Sequence, residues 1–173
     1  MARGQAGEDH VANPVDRLLL AEKRLQGRGQ WREANPGAMR IRWPLLVGTS
    51  IFDALLHLMY WLNSAELRFS IGLNYRVQIA RLDFVPNHEW HDNPIGRARM
   101  LGGARIRGPH YHAWTDNRHL STASALSREL TCARQLPAQI RRWDQAFRWF
   151  CGEVGIVLDE TPVIEPPPRS TLL

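Results

Sequence analysis

The chain has 173 residues, of which 44% are apolar, so it is long enough and apolar enough to bury one substantial core and is not an intrinsically disordered protein. The first ten residues are polar and charged with no apolar stretch behind them, which argues against a signal peptide. The longest apolar stretch, residues 51–62, is shorter than the ~20 residues of a membrane-spanning helix. The two cysteines, Cys132 and Cys151, are too few for a disulfide framework. We therefore expect a cytoplasmic protein that does not enter a membrane.

The net charge of +5 is unevenly distributed. Lys23 is the single lysine among 22 basic residues, a bias that a GC-rich genome would also produce. Between residues 96 and 148 there are ten arginines and three acidic residues. If these arginines share a face they would attract nucleic acid, and an ordinary solvated surface is the alternative. The candidates for contacts with a nucleic-acid backbone are Arg97, Arg99, Arg105, Arg107 and Arg118.

The N-terminal part of the chain predicts one helix between polar segments. Residues 1–12 are predicted to be a flexible tail. Asn13 and Pro14 then supply a cap and a first-turn proline for a short amphipathic helix that is expected to end near Gly27. The residues from there to Gly37 predict a polar linker.

Two apolar segments follow the linker. Residues 39–47 are typical of a strand, in which Pro44 indicates either an edge position or a bulge. Residues 51–62 fit both a helical face and a buried strand, and the pattern leaves the two open.

The clearest strand signal is the alternation of apolar and polar residues in 67–73 and 75–84. Near Ile79 the apolar phase slips by one residue, which predicts a β-bulge. Gly72 to Asn74 is a candidate hairpin turn, and one long strand is the alternative.

The C-terminal half is predicted to contain less regular structure and one long helix. Residues 87–103 predict a loop, and residues 104–114 a short strand interrupted at Gly108-Pro109. Apolar residues recur at helical spacing through 137–154, and the proline-rich residues 161–173 predict a flexible tail.

These elements predict an α+β fold. We expect an antiparallel sheet of three to five strands with an N-terminal helix and a C-terminal amphipathic helix, in a single domain of residues 13–160. Within it, Trp143, Phe147 and Phe150 of the last helix should pack on the sheet.

A histidine-rich stretch is the strongest candidate for a functional site, because five of the seven histidines lie between residues 83 and 119. His110 and His112 are two residues apart, so on a strand their side chains would lie on one face about 7 Å apart, at a rise of ~3.3 Å per residue. Two such imidazoles can occupy neighbouring positions on a divalent metal ion. The candidates for the remaining ligands are Asp83, His88, His91 and His119. The alternative is that the histidines are structural and form hydrogen bonds within the fold.

The His110-Tyr111-His112 segment resembles the metal-binding motif of HUH nucleases, which nick single-stranded DNA. Those enzymes also use a tyrosine nucleophile. No tyrosine follows Tyr111, so the resemblance implies that Tyr60 or Tyr75 would take this role, as in the relaxase order.

The order of elements is also similar to the ubiquitin-conjugating-enzyme fold. His91-Asp92-Asn93 stands where that family has a His-Pro-Asn flap whose asparagine binds an oxyanion. The family's thioester cysteine should follow about ten residues later, but the next cysteine is Cys132, so the resemblance implies a relative without transthiolation.

Three short segments are similar to bacterial protein families of mobile and defence islands to which no activity is assigned. These segments are Arg81-x-Asp83-Phe84, His91-x-Asn93-Pro94 and Gly108-Pro109-His110-x-His112.

Two functions remain open from the sequence. The first is a metal-dependent protein that acts on the phosphodiester bonds of nucleic acid, with a divalent ion as cofactor. The second is a non-enzymatic protein-interaction domain with a partner protein, such as a cysteine-less ubiquitin-conjugating-enzyme-like protein. The sequence leaves open whether the chain is an enzyme and what its oligomeric state is.

Overall fold

The computed structural model describes residues 14–121, 126–158 and 164–167. Four helices lie in this part of the chain: α1 Pro14–Leu20, α2 Ile95–Ala98, α3 Trp114–Asn117 and α4 Trp143–Glu153, with a 3-10 turn at Arg118–Leu120. The strands are β1 Lys23–Leu25, β2 Arg32–Asn35, β3 Ala38–Val47, β4 Ser50–Trp61, β5 Phe69–Tyr75, β6 Val77–Phe84, β7 Trp90–Asp92, β8 Arg105–Arg107, β9 His110–His112, β10 Arg134–Gln135 and β11 Ile156–Val157.

Nine of these strands form one sheet in the order β10-β9-β6-β5-β4-β3-β1-β11, with β2 also paired to β3. All of its pairs are antiparallel except β1 with β11, and β7 and β8 form a separate antiparallel pair. The predicted α+β class is confirmed, but the prediction of three to five strands is wrong. Five strands of the sheet have only two to four residues, which is too short to show an alternating pattern in the sequence.

The core lies between one face of the sheet and α4. Trp143 contacts Phe69 with ring centroids 4.7 Å apart, and Phe150 contacts Tyr111 at 6.0 Å. Trp143, Phe147 and Phe150 are all buried in the core cluster, as predicted.

Helix α4 begins at Trp143, so the predicted start near Pro137 is wrong. The side-chain oxygen of Gln145 accepts hydrogen bonds from the backbone N–H groups of Arg141 and Arg142. This contact caps the helix at that point and leaves residues 137–140 in a turn.

The ambiguous residues 51–62 form a strand, because β4 pairs along its length with β3 on one side and with β5 on the other. Pro44 lies within β3, which is flanked on both sides, and the register shifts between Pro44 and Leu45. The predicted bulge is therefore present, and the alternative of an edge strand is wrong.

The β5–β6 hairpin contains the predicted bulge at Ile79, since Leu73 pairs with Ala80 and Asn74 with Gln78. The turn lies at Arg76, which has a φ of 59°, and not at residues 72–74.

The structure describes the whole predicted linker but only part of the predicted C-terminal tail. Strand β2 lies within the predicted linker. Residues 1–12 lie outside the described part of the chain. Within residues 161–173, Ile164 packs against the core and its carbonyl accepts a hydrogen bond from Trp143 Nε1 at 2.6 Å. No helix within the described residues is long and apolar enough to cross a membrane.

Lys23 is fully buried at the C-terminal end of α1, and its ammonium group donates to the carbonyls of Leu18 (2.5 Å) and Ala21 (2.6 Å). Replacing it with methionine keeps the aliphatic stem but leaves these buried acceptors unpaired. We expect Lys23→Met to lower the free energy of unfolding by about 2–4 kcal/mol, measured by urea denaturation. Arg24→Met is the matched control: Arg24 is the exposed neighbour and pairs with Glu22 on the surface, so we expect a change of less than about 0.5 kcal/mol.

The same lysine should give the stability a pH dependence. Burial lowers the pKa of Lys23 to about 8, below its ordinary value of 10.5. Between these two pH values the unfolded chain binds more protons than the folded chain, so stability should rise as the pH increases from about 8 to 10.5. This rise should be smaller in Lys23→Met.

Candidate metal centre

The sheet face opposite α4, here called the polar face, presents polar side chains in register across five strands. Successive Cα partners from β3 to β9 form one row, which consists of Arg42, His57, Gly72, Arg81 and His112. The neighbouring row consists of Arg40, Met59, Ser70, Asp83 and His110. The residues between them on each strand, such as Ile41, Leu58 and Leu82, are buried in the core.

Three imidazoles meet at the β9 end of the polar face. One ring nitrogen from each of His91, His110 and His112 lies within 4.8 Å of the other two. The ring of His91 stacks on His110 with centroids 4.9 Å apart, and it meets His112 edge-on at 4.8 Å. His110 and His112 are buried, and His91 is half-buried. We call this group the histidine trio.

The local sequence explains how β9 presents its two histidines. Gly108 has a φ of 72°, and a Cβ at this position would lie 2.5 Å from Asn87 Oδ1, so the turn before β9 requires glycine. The turn separates β8 from β9 and allows β9 to pair with β6. His110 then lies opposite Asp83, while Tyr111 points to the core and contacts Trp149.

His91 reaches the trio from β7, in the small second sheet. Its Nε2 lies 3.0 Å from the carbonyl oxygen of Thr131, which can accept a hydrogen bond only from a protonated nitrogen. His110 has an equivalent partner, because its Nδ1 lies 2.8 Å from the carbonyl oxygen of Gly108. These bonds place the protons of neutral His91 and His110 on the nitrogens that face the carbonyls, so the other nitrogen of each ring carries a lone pair.

Two asparagines hold the segment that carries the Thr131 carbonyl. The side chain of Asn93 accepts from the backbone N–H of Ala133 and donates to its carbonyl, at 2.7 and 3.0 Å. Asn117 does the same for Cys132, with both bonds at 2.8 Å. This pair of amide clamps could not be predicted from the sequence, because both contacts join residues far apart in the chain.

His112 has a less complete set of partners. Its Nε2 lies 3.1 Å from Arg81 Nη2 and 3.4 Å from Asp83 Oδ2, and its Nδ1 is buried without any hydrogen-bond partner. A buried nitrogen without a partner costs free energy, and a ligand at Nδ1 would remove that cost.

Burial keeps His110 and His112 neutral. Burial lowers the pKa of His112 to about 4, although the hydrogen bond to Asp83 opposes this, and burial also lowers the pKa of His110. Burial raises the pKa of Asp83, but the hydrogen bond with His112 and the charge of Arg81 outweigh it and hold that pKa below its usual range. At neutral pH, His110 and His112 are therefore neutral beside an ionised carboxylate.

Three of the candidate ligands are not members of the trio. His88 is exposed and lies 3.4 Å from Glu66, and His119 is exposed in the 3-10 turn after α3. Asp83 lies 3.4–3.6 Å from the Nε2 atoms of His110 and His112, and Arg81 Nε donates to it at 2.6 Å.

The five arginines that were candidates for nucleic-acid binding are not equivalent. Arg105 pairs with Asp92, Arg118 pairs with Asp16, and Arg107 donates to the carbonyl of Asn87. Arg97 and Arg99 lie at the end of α2. A different group of arginines, which was not predicted from the sequence, lines one cavity. This group consists of Arg28, Arg32, Arg40 and Arg42.

The residues that carried the two family resemblances lie in the fold interior. Tyr60 and Tyr75 are part of the core cluster, and Tyr111 packs on Trp149 and Phe150, so none of the three tyrosines of the chain is in the trio. Cys132 is also fully buried. Asn93 uses its side chain to bind backbone groups and is 5% exposed, which is unlike an oxyanion donor that faces a substrate.

Comparisons of the chain with protein-family models, with curated proteins and with solved structures found no match.

Proposed function

We propose that the protein is a metal-dependent enzyme that hydrolyses phosphodiester bonds in nucleic acid. In this proposal His91, His110 and His112 bind one divalent ion, for which zinc is the first candidate. The observation that supports this most directly is the approach of three imidazole nitrogens to within 4.8 Å of one another. Nitrogens on one zinc ion come to within ~3–3.5 Å, since Zn–N bonds are ~2.0–2.1 Å. Side-chain rotations that move each nitrogen by about 1 Å would bring the three nitrogens from 4.8 Å to this shorter separation.

The hydrogen bonds around the trio agree with this assignment. A histidine that binds a metal through one nitrogen usually donates its other N–H to a carbonyl or carboxylate. His91 has the Thr131 carbonyl for this purpose, and His110 has the Gly108 carbonyl. The free nitrogens are then Nδ1 of His91 and Nε2 of His110.

His112 completes the set through the nitrogen that has no protein partner. In the tautomer with the proton on Nε2, which donates towards the Asp83 carboxylate at 3.4 Å and displaces the 3.1 Å contact with the donor Arg81 Nη2, the lone pair of the buried Nδ1 is available to the ion. Asp83 thus orients a ligand in our proposal, and Arg81 holds Asp83 in place through a 2.6 Å hydrogen bond.

Three neutral ligands suit hydrolytic chemistry. They would leave the full charge of a divalent ion available, and the ion would supply hydrolytic chemistry by lowering the pKa of a water to near 7. In the hydrolysis the water oxygen would bond to phosphorus as the bond from phosphorus to the leaving sugar oxygen breaks, and a proton of the water would pass to that oxygen. Because no tyrosine lies at the trio, we propose attack by water and not by a tyrosine.

The test is the metal content of protein purified without a histidine tag, together with cleavage of single-stranded DNA and RNA. We expect about one equivalent of zinc or another divalent transition metal per chain, and cleavage that stops in EDTA and returns when metal is added. Metal-free protein that binds no zinc, manganese, nickel or cobalt in titration would overturn the proposal. Metal binding without cleavage of either substrate would remove the enzymatic part of it.

A protein-interaction domain is the second candidate. It is favoured by three large apolar side chains around α2 that are open to solvent, Trp90 at 55%, Ile95 at 94% and Met100 at 75% exposure. Exposed apolar groups that form a continuous patch mark contact sites, and these three residues lie within ten positions of one another in the chain. A folded protein without metal would favour this role.

A further inference from the structure

A second group of charges lies on the polar face, far from the histidine trio. The side chains of Arg28, Arg32, Arg40 and Arg42, with Gln30, line a cavity of about 340 Å³ that we call the arginine pocket. Arg32 on β2 and Arg40 on β3 are direct strand partners. The cavity therefore lies where the β2–β3 pair meets the irregular segment that precedes β2 and carries Arg28 and Gln30.

The four guanidinium groups have no counter-charge within the described part of the chain. Seven of the fifteen other arginines in the described residues have a carboxylate partner, among them Arg68 with Glu89 and Arg134 with Asp116. Among the residues that the structure describes, no side-chain hydrogen bond or ion pair involves the pocket arginines. Like charges held together without a partner repel one another, so an anion would stabilise the pocket. Planar guanidinium groups match the geometry of phosphate oxygens.

Beyond the pocket, the polar face also contains buried polar atoms without a hydrogen-bond partner. Within the described residues three buried side-chain atoms lack a hydrogen-bond partner, namely His57 Nε2, Asn74 Oδ1 and His112 Nδ1. All three residues lie on this face, on β4, β5 and β9. His57 is the strand partner of Arg42, and burial, Arg42 and Arg40 lower its pKa. These atoms lie on the side of the sheet that α4 leaves free.

The arginine pocket and the trio are too far apart for one small anion. Arg42 and His112 are four strands apart in the same register row, which corresponds to ~19 Å at a strand spacing of ~4.8 Å. Between them the row contains His57, Gly72 and Arg81 and no acidic residue. A ligand with repeated phosphates can bind at the pocket and still reach the trio.

We propose that the arginine pocket binds the phosphate backbone of a single-stranded nucleic acid, which crosses the polar face and enters the histidine trio. This rests on the proposed function, because the trio is taken as the site of cleavage. A single strand is favoured because a sheet face offers no projecting helix or ribbon for a duplex groove, whereas single strands lie along sheets with cationic grooves.

The experiment measures binding of a labelled oligothymidylate in EDTA over a range of salt concentrations. The double variant Arg40→Gln/Arg42→Gln removes two pocket charges, and we expect its affinity at low salt to fall at least about tenfold and its slope of log K against log salt to become shallower by about 1.4. The matched control Arg24→Gln/Arg142→Gln also removes two charges, but from arginines that pair with Glu22 and Asp144, and it should bind as the unmodified protein does.

The outcomes separate this proposal from the proposed function. Equal binding by the pocket variant and the unmodified protein would overturn the pocket proposal and leave metal-dependent cleavage untouched. Inorganic phosphate that competes as well as the oligonucleotide at equal phosphate concentration would show a site for a small anion and would also overturn it. Pocket-dependent binding by a protein that holds no metal would remove the proposed function and retain the binding surface.

Discussion

Replacing His112 with alanine should abolish binding of the divalent ion. The change removes the ligand whose Nδ1 is buried without a partner, and the remaining two imidazoles cannot complete a site for zinc. Loss of an outer hydrogen-bond partner alone reduces metal affinity by ~10–100-fold, so loss of a ligand should reduce it by at least about 100-fold. Zinc titration with a competing chelator measures the affinity, and cleavage of single-stranded nucleic acid should be lost with it.

Two further variants make this result interpretable. His112 is fully buried, so its replacement also opens a cavity, and His91→Ala removes a half-buried ligand with less effect on the core. His119→Ala is the control, because His119 is exposed and lies outside the trio. Unchanged zinc affinity in both His91→Ala and His112→Ala, with folding verified by circular dichroism, would mean that the trio is not a metal centre.

The parts of the site that could be predicted from the sequence depend on local geometry. His110 and His112 share a face because side chains alternate along any strand, whatever its partner. The side that they face was not predictable, because it depends on the pairing of β9 with β6, in which Asp83 lies opposite His110. That pairing joins residues 27 positions apart, and no pattern within either short segment encodes it.

The arginine pocket could not be predicted, because charge counted along the chain differs from the charge on one face of the sheet. Counting charges along the chain singled out residues 96–148, where arginines greatly outnumber acidic residues. Arg32 and Arg40 lie in a stretch whose charges include Glu33, but alternation along β2 places Glu33 on the other side of the strand from Arg32. The charge that matters for binding is that of one face, which depends on register and cannot be summed along the sequence.

The same difference between local sequence patterns and long-range contacts explains which helices and strands could be predicted. The long strands β4, β5 and β6 and the helix α4 bury enough regularly spaced apolar residues to be predicted, or narrowed to two alternatives, from periodicity. Strand β10 has two residues and depends on its pairing with β9 and on the clamp that Asn93 and Asn117 form on the preceding segment. Such an element exists because of contacts elsewhere in the fold.

Removing one of these clamps should weaken the fold and the metal site together. Asn93 is buried and its amide makes three hydrogen bonds, to the N–H and carbonyl of Ala133 and to the carbonyl of Gly103. In Asn93→Ala these buried backbone groups lose their partner, and we expect the free energy of unfolding to fall by about 3 kcal/mol, measured by urea denaturation.

The loss should extend to the metal, because the segment that Asn93 holds also carries the Thr131 carbonyl, the hydrogen-bond partner of His91. We expect the zinc affinity of folded Asn93→Ala to fall by ~10–100-fold, the range seen when an outer partner of a metal-binding histidine is disturbed. Asn35→Ala, an exposed asparagine on β2, should change neither quantity. An Asn93→Ala protein of normal stability and normal zinc affinity would contradict the clamp and favour a role for Asn93 in binding a substrate oxyanion, as the resemblance to the ubiquitin-conjugating-enzyme flap implies.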